Sequence, residues 1–213
     1  MALSLTLIII IITCIVSFTA FSNSKITEDL IFYPPAISKQ NQWYRFITCG
    51  LIHADLGHLA FNMFSLYLFG DLVEKYFHQI FGERAKLLYL AMYVIALVVC
   101  MIPTYAKNKD NYYYRSLGAS GAVSAVVFAG IFLVPLAKIG LFIIPPVIPG
   151  FVFGPLYLGL TAYMSKRGGD NINHSAHFWG AVFGIAFVIV MSYFLSDYRP
   201  VENFIFQVQS YFN

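Results

Sequence analysis

The sequence predicts an all-α membrane protein, and two observations lead to this fold class. Hydrophobic residues make up 59% of the chain and charged residues only 11%, whereas about a quarter of the residues in a soluble domain are charged. In addition, six apolar segments approach the roughly 20 residues that a helix needs to cross a bilayer. We therefore expect one membrane domain over residues 1–213, built as a bundle of six transmembrane helices.

The six predicted spans cover about residues 3–20, 56–77, 85–104, 117–137, 140–163 and 174–195. The first could instead be a cleavable signal peptide, since Ala20 and Ser22 resemble a processing site. Lys and Arg are absent from its beginning, however, so a retained span is favoured. The polar loop over residues 21–55 contains Trp43 and Arg45, a composition typical of a segment lying in the membrane interface.

The fifth span is rich in proline, with Pro145, Pro146, Pro149 and Pro155. Proline lacks a backbone N–H, so this helix is expected to be kinked or unwound where it begins. The polar loop that follows, residues 165–173, carries two adjacent glycines. We expect this loop to cap a polar pocket and the fifth span to act as a lateral gate beside it.

Charge and cysteine patterns exclude several classes of partner. The net charge of +3 is scattered, with no Lys/Arg block, so no nucleic-acid partner is predicted. The three cysteines match no metal-binding spacing. His53 and His58 are five residues apart and point to different faces of a helix. The sequence thus predicts neither a metal nor a cofactor.

The charges on the loops give an orientation of their own. Six spans put both termini on one side of the membrane, together with five Lys/Arg residues, against eight on the other side. Taken literally, the positive-inside rule would place the termini outside.

Polar residues inside spans are costly and mark functional sites by default. The second span opens with His58 and Asn62, which share one helix face because they are four residues apart. Ser120 lies near the start of the fourth span and His177 near the start of the sixth. These three spans run in the same direction, so we predict one polar pocket that these four residues line together with Ser124.

Ser120 has two interpretations. A serine among small residues in a membrane helix is most often a packing or hydrogen-bonding residue. It acts as a nucleophile only if a base lies within hydrogen-bond reach. His177 is the candidate base, because Gly180 and Gly184 let its helix pack closely on the small face of the fourth span. The carboxylate nearest His177 in sequence, Asp170, lies in the loop, so a Ser–His dyad without a third member is expected.

Donors for a tetrahedral oxyanion are available at the same depth. The backbone N–H of Ser120 would lie at a helix N-terminus, where the dipole favours negative charge. The side chains of His58 and Asn62 would supply further donors. Gly118 lets the backbone turn into this position.

At these residues the chain resembles the rhomboid family of intramembrane serine proteases over essentially its whole length. The matching motifs are Gly118-Ala119-Ser120-Gly121, the spaced set His53, His58 and Asn62, the set Ala176, His177 and Gly180, and Trp43-Tyr44-Arg45 in the first loop. The resemblance implies that Ser120 is the nucleophile and His177 the base, with His58 and Asn62 in the oxyanion site. It also implies single-span transmembrane proteins as substrates, and cytoplasmic termini with the catalytic cavity open to the opposite side.

Five further residues are expected to bind substrate or to support the site: His53, Gly118, Ser124, Trp43 and Arg45. At Ser124 some relatives carry an aromatic residue that stacks on the base, so other packing must orient His177 here. His53 has two interpretations of about equal weight: an interfacial hydrogen-bonding residue and a catalytic residue. The minimal six-span size leads us to expect a bacterial plasma membrane.

Two other functions are alternatives to an endopeptidase. A catalytically inactive rhomboid-like protein would bind transmembrane helices, but it normally lacks the serine or the histidine. A small membrane transporter would carry polar residues along a path through the membrane. In this chain they stop within one half of three helices, which favours a protease.

Overall fold

The computed structural model describes residues 4–140, 147–170 and 172–213. Over these residues the chain is mostly helical. The α-helices are α1 (Leu5–Phe21), α2 (Ser24–Leu30), α3 (Pro34–Gln40), α4 (Arg45–Thr48), α5 (Leu56–Phe81), α6 (Ala85–Val99), α7 (Ile102–Asn108), α8 (Ser120–Leu133), α9 (Gly150–Arg167), α10 (His174–Leu195) and α11 (Pro200–Ser210). Short 3₁₀ turns cover Cys49–Leu51 and Gly82–Arg84, and two short strands are β1 (Lys138–Ile139) and β2 (Ile148–Pro149).

Helices α8 and α10 form the centre of the fold and touch through their backbones. A Cβ atom added to Gly180 would overlap the carbonyl oxygen of Gly121, and one added to Gly184 would overlap that of Ala125. This confirms the close packing that the small residues predict. Eleven of the 14 residues of α8 are buried, because α5, α6, α9 and α10 surround this helix.

Helix α1 lies against α5, and a carboxylate holds its beginning. The backbone N–H groups of Leu5 and Thr6 donate to the two carboxylate oxygens of Glu74, over 3.1 and 2.6 Å. The Thr6 hydroxyl is also 2.7 Å from the Tyr89 hydroxyl. Glu74 therefore satisfies two of the N–H groups that a helix leaves unpaired at its N-terminus.

The first loop is helical and organised around one buried arginine. The Arg45 guanidinium donates to the carbonyl oxygens of Glu28 and Ile31, each at 2.7 Å, and to Gln42 Oε1 at 2.6 Å. Only 6% of Arg45 is exposed. These bonds hold α2, α4 and the chain between them together.

Proline residues shorten or break the predicted spans. The predicted third span, residues 85–104, divides into α6 and α7, and Pro103 lies in the first turn of α7. Helix α8 ends at Leu133 rather than near residue 137, because the residue before Pro135 is disfavoured in the helical region. Helix α5 instead continues past residue 77 to Phe81.

The fifth span differs most from the prediction. Helix α9 begins at Gly150 instead of residue 140 and continues to Arg167 instead of ending at residue 163. Ahead of it, Ile148–Pro149 pairs antiparallel with Lys138–Ile139. Pro155 lies inside the helix, where it has no N–H to donate to the carbonyl group one turn earlier. Pro145 and Pro146 lie outside the described residues.

Two segments among the described residues are long and apolar enough to cross a bilayer. One is Leu56–Asn108, which includes α5 to α7, and the other is His174–Leu195, which is α10. Helices α1 and α8 are apolar but shorter, with 17 and 14 residues. The count of six spans therefore stays a prediction.

The bundle has two distinct ends. Helices α5, α8 and α10 all begin at one end, which we call the cavity end. At the opposite end α11 packs on the last turn of α8, where Gln207 Nε2 donates to the Leu133 carbonyl oxygen at 3.1 Å. The rings of Phe132 and Phe204 also stack there, with centroids 5.1 Å apart.

Candidate active site

A tight turn delivers Ser120 to the first position of α8. Gly118 has φ of +111°, a conformation that glycine adopts at little cost. A Cβ atom at this position would also lie 2.6 Å from His58 Cε1. The Gly118 N–H donates to the Cys49 carbonyl oxygen at 2.8 Å. Both the backbone angle and the adjacent imidazole therefore require glycine two residues before Ser120.

Ser120 and His177 are hydrogen-bonded across the contact between α8 and α10. The distance from Ser120 Oγ to His177 Nε2 is 2.7 Å. Asn173 caps α10 by accepting from the Ala176 N–H at 3.1 Å, which places His177 within the first turn. A serine hydroxyl that donates to Nε2 requires the imidazole proton to be on Nδ1.

His58 and Asn62 lie on the same wall of the site, near the start of α5. The Asp55 side chain caps this helix by accepting from the His58 N–H at 2.8 Å. Asn62 is buried, and its Nδ2 donates to the His58 carbonyl oxygen at 2.9 Å. An amide nitrogen carries two hydrogens, so Asn62 has a second N–H besides the one used within the helix.

One cavity of about 680 Å³ connects these groups. All five predicted pocket residues contribute to its wall: His58, Asn62, Ser120, Ser124 and His177. Gly118 also lines it. From this polar end the cavity extends between α5 and α9, where the lining becomes apolar and includes Phe61, Phe69 and Phe153. The site therefore joins a polar centre to an apolar groove.

His53 lies behind the cavity wall as a buried hydrogen-bonding residue. Its Nδ1 is 3.0 Å from Ser17 Oγ, and its Nε2 accepts from the Ala119 N–H at 3.4 Å. Ser17 in turn donates to the Leu51 carbonyl oxygen at 2.9 Å. Burial, together with the nearby His58 ring, lowers the pKa of His53 to about 3. A neutral ring is what these bonds require, because Nε2 acts as an acceptor.

Trp43 and Arg45 are separated from the cavity lining. The Trp43 ring stacks on Phe46, with centroids 6.1 Å apart, and 55% of the residue is exposed. The guanidinium of Arg45 is bonded within the first loop. Their contacts are those of residues that shape the loop, and the structure does not bring them to Ser120.

The loop after α9 reaches the edge of the cavity. Gly168 and Gly169 both have positive φ, and Ile172 and Asn173 line the cavity beyond them. The Asp170 carboxylate is 2.9 Å from His174 Nε2, and this hydrogen bond lowers the pKa of Asp170. Asp170 thus pairs with His174 and not with His177, while Asn171 lies outside the described residues.

Tyr157 is the polar neighbour of His177 that sequence reasoning missed. Its hydroxyl oxygen lies 3.4 Å from His177 Nδ1, and its ring stacks on Phe153 of the same helix. A tyrosine within an apolar helix was the available signal, since a buried tyrosine hydroxyl usually finds a partner.

Among the described residues, no group of three or more His, Cys, Asp or Glu side chains could hold a metal ion. Cys14, Cys49 and Cys100 are free, and burial raises the pKa of Cys49 to about 12. That the protein needs no metal or cofactor stays a prediction.

The fold and the site together define a class of proteins. It comprises helical membrane proteins in which a serine and a histidine are hydrogen-bonded at the N-terminal ends of two packed helices. The sequence matches the family model described as Rhomboid domain over residues 40–194. The chain belongs to the rhomboid family, whose members are embedded in membranes.

Several curated relatives are similar to this chain. RHOMBOID-like protein 12, mitochondrial, of Arabidopsis thaliana is 33% identical over 67% of this chain and 45% of its own length. Rhomboid-like protein 11, chloroplastic, of the same plant is 28% identical over 72% of this chain and 54% of its own length. A candidate rhomboid protease of Bacillus subtilis, YdcA, is 31% identical over 44% of this chain and 42% of its own length. The chain thus spans about half the length of these relatives.

The relatives do not support the expected bacterial plasma membrane. Their names include mitochondrial and chloroplastic proteins as well as a bacterial one. The comparisons therefore establish that the protein is embedded in a membrane. They do not identify that membrane as a bacterial plasma membrane.

Proposed function

We propose that this protein is an intramembrane serine endopeptidase that uses Ser120 and His177 as a catalytic dyad. The observation that carries the proposal is the 2.7 Å hydrogen bond between the two side chains, on the wall of a cavity. A serine hydroxyl becomes an effective nucleophile when a neighbouring base takes its proton. Here the base is oriented to receive that proton before substrate arrives.

The reaction follows the acyl-transfer scheme of serine hydrolases. Ser120 Oγ attacks the carbonyl carbon of the peptide bond while its proton passes to His177 Nε2. The tetrahedral intermediate collapses, the C–N bond breaks, and His177 returns the proton to the leaving amine. A water molecule, deprotonated by His177, then attacks the acyl carbon and releases Ser120.

Three groups are assigned to the oxyanion that forms in these steps. The Ser120 N–H lies at the first position of α8, where the helix dipole favours negative charge. His58 and Asn62 line the same cavity, and the other two donors assigned to the oxyanion are the His58 imidazole and the second N–H of Asn62. Removing one such donor typically costs about 100- to 1000-fold in kcat.

The proposed substrate is a single-span transmembrane protein. The groove between α5 and α9 is lined by phenylalanine side chains, which suits an apolar segment that enters sideways from the lipid. With six spans, this groove would open laterally at α9, and the termini would lie in the cytoplasm at the opposite end from the cavity.

A fluorophosphonate probe tests the nucleophile. Wild-type protein in detergent micelles should be labelled, Ser120→Ala should not be, and His177→Ala should be labelled much more slowly. Ser65→Ala is the matched control, because Ser65 also lines the cavity on α5, away from His177. Equal labelling of wild type and Ser120→Ala would remove Ser120 from this role.

A second assay separates a protease from an inactive helix-binding relative. Wild-type protein and Ser120→Ala are incubated in liposomes with a panel of single-span proteins, and the products are identified by mass spectrometry. Cleavage by wild type alone supports the proposal. Co-purification of uncleaved substrate with both proteins would indicate the inactive alternative.

A further inference from the structure

We propose that Tyr157 is a positioning residue for His177, and that it makes the alignment of the base depend on where α9 lies. This inference rests on the proposed function. It supplies the group that orients His177, a task for which neither Asp170 nor Ser124 is suited. Asp170 is bonded to His174, and Ser124 is too small to stack on an imidazole.

The geometry places the tyrosine on the far side of the base from the nucleophile. His177 Nε2 faces Ser120 Oγ at 2.7 Å, and His177 Nδ1 faces the Tyr157 hydroxyl oxygen at 3.4 Å. Both ring nitrogens of His177 therefore have a partner, one on α8 and one on α9.

The directions of these bonds are fixed by the chemistry of the nucleophile. Ser120 has to donate its proton to Nε2, so Nδ1 carries the ring proton and must donate. The Tyr157 hydroxyl oxygen is therefore the acceptor in this contact. A hydrogen bond to the second ring nitrogen of the histidine selects one tautomer and one ring orientation, as the carboxylate does in a Ser-His-Asp triad.

The two contacts of His177 belong to helices that are held very differently. Helix α10 meets α8 through glycines and backbone atoms, so the distance between Ser120 and His177 is rigidly set. In α9 only three of 18 residues are buried: Gly150, Gly154 and Thr161. The Tyr157 ring packs against Phe128 and Phe153, through side chains that can slide. Movement of α9 would withdraw the hydroxyl from His177 while leaving the Ser120 contact in place.

The main test is Tyr157→Phe, which removes the hydroxyl and keeps the ring. We expect kcat for a single-span substrate to fall about 10- to 100-fold, the usual size of effect for a lost hydrogen bond to a charged group, with KM unchanged. Tyr163→Phe is the matched control on the same helix, since Tyr163 is 60% exposed. It should keep wild-type kcat and KM.

A double mutant separates positioning from a structural effect. The rate at which a fluorophosphonate labels Ser120 is measured in four proteins: wild type, Tyr157→Phe, His177→Ala and the double mutant. If the hydroxyl acts through His177, Tyr157→Phe slows labelling in the wild-type background and has no further effect in His177→Ala. Equal slowing in both backgrounds, or unchanged kcat in Tyr157→Phe, would overturn the inference.

The hydrogen bond can be tested even if the protein hydrolyses nothing. Nitrogen-15 NMR of labelled histidine should show His177 protonated at Nδ1 in wild type, with a mixture of tautomers in Tyr157→Phe. If the fluorophosphonate does not react with Ser120 in wild type but Tyr157→Phe changes the tautomer, the proposed function is rejected and the role of Tyr157 is retained. If the fluorophosphonate reacts with Ser120 in wild type but Tyr157→Phe leaves the tautomer unchanged, the role of Tyr157 is rejected and the proposed function is retained.

Discussion

His53 and His177 have the same arrangement of hydrogen-bond partners, although only His177 lines the cavity. In each ring Nε2 is the acceptor: from the Ala119 N–H in His53 and from the Ser120 hydroxyl in His177. In each ring Nδ1 faces a hydroxyl, that of Ser17 or Tyr157. Consecutive residues of one turn are thus attached to two separate imidazoles, and His53 holds the turn from which Ser120 projects.

His53 should make the stability of the fold sensitive to acid. Its pKa is about 3 in the folded protein and about 6.5 in an unfolded chain. The unfolded state therefore binds more protons between these values, so stability is lost as pH falls through this window. We expect the thermal unfolding midpoint of wild type in micelles to fall between pH 7 and pH 4, and to fall less in His53→Gln.

His78→Gln is the control for this measurement, because it removes a histidine that is exposed near the end of α5. It should retain the wild-type pH dependence. If His53→Gln also retains the full wild-type dependence, His53 is not the group responsible.

At the scale of the helices, the sequence predicts positions along the helix axes better than contacts between helices. The common depth of His58, Ser120 and His177 follows from the direction of three helices and needs no knowledge of their packing. The contact of His53 with Ser17 joins the loop before α5 to α1, and that of His177 with Tyr157 joins α10 to α9. No periodic pattern relates these segments. Those contacts depend on how the helices rotate and tilt against each other.

Helix boundaries were predicted less well, for a local reason. The apolar character of residues 140–163 predicts a fifth span over this whole range, kinked or unwound where it begins, whereas the backbone forms a β1–β2 pair and α9 begins only at Gly150. Hydropathy measures the solvent that a segment prefers and is insensitive to its backbone conformation. Proline positions such as Pro103 and Pro135 carried the missing information.

The contact between α8 and α10 should tolerate no added atom. In Gly180→Ala the new methyl group would meet the Gly121 carbonyl group, and backbone atoms cannot move aside as a flexible side chain can. We expect a loss of stability of about 2 kcal/mol or more, and a large loss of activity because Ser120 and His177 separate. Thermal unfolding and probe labelling measure the two effects.

Gly159→Ala provides the matched comparison on α9. No atom lies within 4 Å of a Cβ atom added there, and alanine favours a helix over glycine by up to about 1 kcal/mol. This variant should be as stable as wild type or more so. Similar behaviour of the two variants would show that α8 and α10 are not packed through their backbones.

For the whole molecule, several of the positive charges that enter the orientation count are fixed by contacts within the fold. Arg45, counted on the cavity side, is buried and bonded to backbone carbonyl groups. The Arg115 guanidinium lies 3.6 Å from the centre of the Tyr33 ring. Such residues are fixed by the fold, so their number does not report on translocation as the charges of free loops do.

The proposed topology predicts that the cavity end and the C-terminal helix face opposite sides of the membrane. Asp110→Cys marks the loop that leads to Ser120, and Ser210→Cys marks the end of α11. In sealed cells, a membrane-impermeant maleimide should label the first variant and leave the second unlabelled until the membrane is opened. The parent protein controls for Cys14, Cys49 and Cys100. Labelling of both variants in intact cells would contradict this topology.

Because the groove between α5 and α9 is apolar, the surrounding lipid should compete with the substrate for it. Acyl chains or detergent tails can occupy the space lined by Phe61, Phe69 and Phe153 as readily as a peptide helix can. Turnover should then follow the mole fraction of substrate within the bilayer, and adding lipid at a fixed amount of protein and substrate should slow the reaction by surface dilution.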